Sequence, residues 1–176
     1  MPIVILDVDY GPAGSTGATA ACVVAERWTD AVPIETLAIP IAKVLPYAPG
    51  RFFERELPCL TAVIPRVVAP IDVLVIDGYV VLDEAGTPGL GAHLHAHYGG
   101  RYPVVGIAKS PYGDARFAAA VVRGGSKVPL FVTALGMDVE VAAQCVAAMH
   151  GKHRLPTLVG WVDRLAAGDP PPWPTR

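Results

Sequence analysis

An α/β fold built on one mixed sheet is what this sequence predicts, and three observations predict it. Short apolar runs recur from the first residues onward, as the strands of a buried or half-buried sheet do. The first three runs are separated only by turns, which makes them an antiparallel meander. The later runs alternate with helical patterns, which gives strand–helix–strand units and parallel neighbours. At 176 residues, 52% of them apolar, the chain is expected to form one domain with a proper core over residues 1–167.

Residues 3–9 form the first run, and Gly11-Pro12-Ala13-Gly14-Ser15 turns the chain into a second at 18–26. A turn over 28–32 leads to a third run at 34–42, which alternates apolar and polar positions. Pro46-Tyr47-Ala48-Pro49-Gly50 then breaks regular structure. Over 51–63, Phe52, Leu57, Leu60 and Val63 approximate helical spacing, with a kink expected at Pro58. Residues 73–76 are wholly apolar, as in a central parallel strand, and so are most of 104–108; 90–98 between them reads as helix. A hairpin is expected between 115–122 and 130–133 across Arg123-Gly124-Gly125-Ser126, followed by an alanine-rich amphipathic helix at 139–149. The proline-rich tail 168–176 is expected to be irregular and exposed.

Three acids stand where soluble proteins rarely place charge. Asp7 ends Ile3-Val4-Ile5-Leu6, Asp77 ends Val73-Leu74-Val75-Ile76, and Glu56 lies in the helical stretch between them. A carboxylate at the tip of a buried strand costs several kcal/mol, roughly, to desolvate unless cations or hydrogen bonds compensate it. Two strand-end acids and a third nearby suit a hard divalent cation, and so phosphate chemistry. Acids at the ends of the first and central strands lie side by side in a ribonuclease-H-like sheet. Lys109 follows the buried strand 104–108, where an ammonium can stabilise charge on a transferred phosphate. His93, His95 and His97 alternate along a helix and so point in different directions, which argues against a three-histidine metal site. Asp7-Val8-Asp9 also opens haloacid-dehalogenase phosphatases, but that fold needs a later Gly-Asp pair after an apolar strand. Gly113-Asp114 and Gly168-Asp169 follow none.

Composition narrows the classes. The net charge of −2, with a pI near 6.2, gives no bulk support for a nucleic-acid partner, though a groove can concentrate a few cations. No apolar run approaches the roughly 18 residues of a membrane span. The three cysteines, Cys22, Cys59 and Cys145, are widely spaced in apolar settings without a CxxC pair, so reduced thiols in a cytoplasmic protein are expected and zinc is not.

Four stretches carry a resemblance to a known family. They are Leu6-Asp7-Val8-Asp9-Tyr10; Pro46-Tyr47-Ala48-Pro49-Gly50 with Arg55-Glu56-Leu57-Pro58; Val75-Ile76-Asp77-Gly78 with Leu90-Gly91 and His95; and Gly106-Ile107-Ala108-Lys109 with Pro129-Leu130-Phe131-Val132. Arg154-Leu155-Pro156 fits the closing helix region. The sequence resembles endonuclease V, the metal-dependent nuclease family that cleaves beside deoxyinosine in DNA or inosine in RNA. The Pro-Tyr-x-x-Gly turn followed by Arg-Glu-x-Pro is the most specific signature.

That resemblance implies a DNA-repair endonuclease in which Asp7, Glu56 and Asp77 hold Mg²⁺ or Mn²⁺ and Lys109 contacts phosphate. It implies further that Tyr47, Pro46, Gly50 and His95 contact substrate, Tyr47 within a wedge that separates strands. A monomer with inosine-containing nucleic acid as partner is expected. The chain departs from the pattern in three places. It opens almost at Asp7, without the helix that usually precedes the first strand. No histidine follows the Pro129-Leu130-Phe131 strand, and Asp138 is the candidate substitute ligand. The loop after Asp77 reads Tyr79-Val80-Val81-Leu82, where the family has a small polar residue and glycine. These departures keep an alternative open: a catalytically impaired member that binds nucleic acid or protein.

Overall fold

The computed structural model describes residues 1–46, 48–170, 172 and 173. Seven strands form one sheet: β1 (Ile3–Asp9), β2 (Ala18–Ala25), β3 (Glu35–Ile41), β4 (Val73–Asp77), β5 (Val104–Ala108), β6 (Ala119–Val121) and β7 (Leu130–Leu135). Their order is β3-β2-β1-β4-β5-β7-β6. The expected meander is there: β2 pairs antiparallel with β1 and with β3. β1, β4 and β5 are mutually parallel, and β7 runs antiparallel to β5. This is the mixed, ribonuclease-H-like sheet that the spacing of apolar runs predicts.

Helices cover both faces, as buried parallel strands require. The strands' two-residue alternation decides which side chains meet which helices. Val4, Leu6, Leu74 and Ile76 pack with Cys59, Leu60 and Val63 of α1 (Phe52–Val63) and Leu90 and Leu94 of α2 (Leu90–His97). Ile3, Ile5, Val73, Val75, Val105 and Ile107 face the other way, onto α3 (Val139–Ala148) and α4 (Thr157–Ala166). Helix α1 continues through Pro58, where the sequence suggests a kink. Burial of Cys59, Leu60 and Val63 just beyond the proline outweighs the one hydrogen bond it cannot donate. Helix α4 closes the face opposite α1, with Leu158, Val159, Val162 and Ala166 buried. In the tail, Trp173 is partly buried and meets Trp161 edge to face at 5.1 Å, a contact the expectation of an exposed tail did not include.

One glycine shapes the edge where the site lies. A Cβ on Gly106 would sit 2.4 Å from the Gly78 carbonyl oxygen and 3.0 Å from the Val80 nitrogen. The chain leaving Asp77 therefore crosses directly over β5, where Thr133 Oγ1 accepts a hydrogen bond from Val80 N at 2.8 Å.

Candidate active site

Parallel strands deliver their C-terminal ends to one edge of a sheet, so Asp7, Asp77 and Lys109 arrive together. Alternation places all three on the α4 face, in line with Ile3 and Ile5, Val73 and Val75, and Val105 and Ile107. Glu56 reaches the same edge from α1 and is only 5% exposed. Lys109 Nζ donates to Asp77 Oδ2 at 2.7 Å and lies 3.9 Å from Asp163 Oδ1 on α4.

The electrostatics are those of anions gathered without enough countercharge. Burial, then repulsion from Asp77, raises Asp7 to about 7, with Asp163 adding to the push and Lys109 opposing it. Burial, then the charges of Asp7 and Asp77, raises Glu56 to about 8 against the pull of Arg55. Burial alone would depress Lys109, but the hydrogen bond and charge of Asp77, with Asp163 and Asp7 behind it, hold the ammonium above its ordinary range. Glu56 Oε2 is buried with no hydrogen-bond partner. Neighbouring Arg55 does not pair with it; its guanidinium lies 3.8 Å from the centre of the Tyr10 ring.

An orphaned buried carboxylate oxygen beside a second desolvated carboxylate is a strong demand for a cation. The donors are all oxygen, which fits a hard divalent ion. Among the described residues no group of three or more His, Cys, Asp or Glu side chains is drawn close enough to hold a metal ion. Mg²⁺ needs no such group, since it keeps several waters and takes one or two carboxylates together with substrate phosphate.

The other residues singled out by sequence fall elsewhere. Asp138 does not join the acids. It caps α3, accepting from Glu140 N at 2.9 Å and Val141 N at 3.0 Å. Because β7 is antiparallel to β5, the chain beyond Leu135 emerges beside Val104, at the sheet edge opposite Lys109. His95 is also turned to that opposite edge. Its Nδ1 is 2.8 Å from the Tyr102 carbonyl oxygen, just before β5. His93, two residues nearer the start of α2, instead stacks on Phe53 of α1 at 3.6 Å. Pro46 and Gly50 are exposed in the loop before α1, and Tyr47 lies outside the described residues.

Sequence reasoning missed Asp163. It also missed how the edge is held. Arg154 donates to the carbonyl oxygens of Lys109 and, at 2.8 Å, of Pro129. Arg123, nearly buried, donates to five carbonyl oxygens: those of Ala147, Met149, Gly151, His153 and Arg154. These two arginines tie the segment before α4 to the strand end that carries Lys109, and so fix Asp163 beside it.

Comparisons with known proteins place this fold in one family. The family model of endonuclease V matches residues 2–140, which include Asp7, Glu56, Asp77 and Lys109 but not Asp163. An endonuclease V of Streptomyces avermitilis is 30% identical over 167 residues, spanning 83% of this chain and 71% of that protein. A crystal structure of endonuclease V from Streptomyces avermitilis superposes with a TM-score of 0.77 at 27% identity, covering 95% of this chain and 80% of that one. Ciona intestinalis endonuclease V, solved in complex with a 24mer DNA containing an inosine followed by a ribo-adenosine, shares the fold. Its TM-score is 0.73 at 19% identity, over 94% of this chain and 84% of that one. Matched over most of its length and carrying its acids at one sheet edge, the chain belongs to the endonuclease V family.

Proposed function

We propose that this chain is a divalent-metal-dependent endonuclease that hydrolyses a phosphodiester bond near a deaminated purine, inosine or deoxyinosine, in DNA or RNA. One observation carries the reading: Asp7, Glu56 and Asp77 are gathered with Lys109 at a single sheet edge, with a buried, unpartnered oxygen on Glu56. Asp7, Glu56 and Asp77 would hold Mg²⁺ or Mn²⁺. Such an ion, when bound, supplies a water of lowered pKa and offsets charge on a scissile phosphate. Lys109 donates to a phosphate oxygen and stabilises the charge that grows there. Asp163 steadies the ammonium from the α4 side, 3.9 Å away. The described thiols are free, which suits the reducing cytoplasm.

The test is incubation with inosine-containing DNA and RNA oligonucleotides and either ion. Cleavage at a fixed position near inosine is expected, none is expected with adenosine in its place, and Asp77→Ala should abolish it. A folded protein that cuts none of these oligonucleotides overturns the proposal.

The 2.7 Å pair between Lys109 and Asp77 favours one second reading, a family member that binds nucleic acid or protein without cutting. Thermal unfolding under metal titration separates the two. A nuclease gains stability as RT ln(1 + [L]/Kd), whereas an inert relative gains none.

A further inference from the structure

Tyr79, Tyr112 and Phe117 gather on the two loops that leave the sheet beside Asp77 and Lys109. The ring centres of Tyr79 and Tyr112 are 6.1 Å apart with planes tilted by 56°, and those of Tyr79 and Phe117 are 5.6 Å apart at 53°. The Tyr79 hydroxyl donates to the Ser110 carbonyl oxygen at 2.7 Å and accepts from Tyr112 N at 3.1 Å. One side chain from the Asp77 loop thus pins the chain directly after Lys109 at two points. The loop after Lys109 holds Ala115 at φ 52°, the only non-glycine in the left-handed region among the described residues. Strain of that kind persists where the surroundings impose it, and it collects at binding sites.

Tyr112, 53% exposed, adds little to the core. It is nonetheless presented on a pinned loop, three residues beyond Lys109. An exposed ring on a backbone that is already held loses less freedom when a flat apolar partner lands on it, and every nucleobase offers such a face.

We propose that Tyr112 is a stacking platform for an unpaired nucleobase of the substrate strand, close to the scissile phosphate, with Tyr79 and Phe117 buttressing the ring. The proposal rests on the nuclease reading for the identity of the ligand. Stacking reads the face of a base and not its edge, so the contact adds affinity with little sequence preference.

The experiment measures binding by fluorescence anisotropy, without divalent ion, to single-stranded inosine oligonucleotides. In the series one abasic site is stepped through the nucleotides flanking inosine. Tyr112→Ala should weaken binding to the intact strand by roughly 5- to 150-fold, the range that base–aromatic stacks span. Tyr112→Phe should recover it, and thermal melts should show both variants folded. An abasic site at one position should weaken the wild type by a similar factor while scarcely affecting Tyr112→Ala. Wild-type affinity in Tyr112→Ala, or equal further losses at every abasic position, overturns the stacking role. So does a wild-type protein that binds none of the strands. Cleavage is scored separately, so a failure of turnover counts against the nuclease reading and a failure of the abasic contrast against Tyr112.

Discussion

Replacing Glu56 by glutamine keeps the shape of a side chain that is 5% exposed and removes its ionisation. In the folded protein, burial together with the charges of Asp7 and Asp77 pushes this carboxyl from 4.5 up to about 8. At pH 7 it is protonated when folded and ionised when unfolded, and the difference favours the unfolded chain. The folded-state value is the raised one, so the stability tied to this group is complete below about 4.5, falls as pH climbs, and is lost once pH passes about 8. At about 1.4 kcal/mol per pH unit, the wild type should lose about 2–3 kcal/mol between pH 5 and pH 7 that Glu56→Gln does not. Hydrogen bonding cancels from the comparison, because a neutral carboxyl and an amide each leave a donor unpaired where Oε2 is buried. Urea unfolding with EDTA at the two pH values measures the gap. Saturating Mn²⁺ at pH 7 should then stabilise the wild type and not the variant. A gap that stays constant with pH, or a variant that loses more than the wild type, would refute the reasoning.

Three further variants test the rest of the site. Asp163→Asn should lower cleavage by at least about tenfold, as the loss of a charge that orients a site residue does. Asp138→Ala should instead cost about 1 kcal/mol in urea unfolding, the typical value of a helix N-cap, and leave cleavage and the Mn²⁺ response intact. Arg123→Ala leaves five carbonyl oxygens without their donor and should cost about 2–4 kcal/mol. It should also slow cleavage, because the segment it holds carries Arg154, which in turn holds the backbone at Lys109.

Asp7, Asp77 and Lys109 were legible in the sequence because each ends a run of buried strand residues, and parallel strands bring such ends to one edge. Glu56 was legible through the signature around the Pro46 turn, and it is buried in the fold. Asp163 was not. It sits on an amphipathic helix whose apolar positions, Leu158, Val159 and Val162, face the core, and its carboxylate looks like any solvated charge on the outer side. Its meaning comes from Lys109, 54 residues earlier in the chain and 3.9 Å away in space. Asp138 carried the opposite lesson. An acid just ahead of Val139 and Glu140 at the start of an alanine-rich helix is an N-cap pattern, and in the fold Asp138 serves as that cap. The place of His95 was not legible, because a helix that begins at the acid-bearing edge has crossed toward the other edge five residues later. The direction of α2 depends on where β5 lies, which local periodicity does not encode. The clamps made by Arg123 and Arg154 were invisible for the same reason, since their acceptors are backbone carbonyls scattered across loops.

A crystal structure of the protein soaked in Mn²⁺, read by anomalous scattering, tests the central claim most directly. An ion coordinated by carboxylate oxygens of Asp7, Glu56 and Asp77, with Lys109 moved off Asp77, is the predicted result. Saturating Mn²⁺ with no anomalous peak at this edge, and Lys109 still bonded to Asp77, would contradict it.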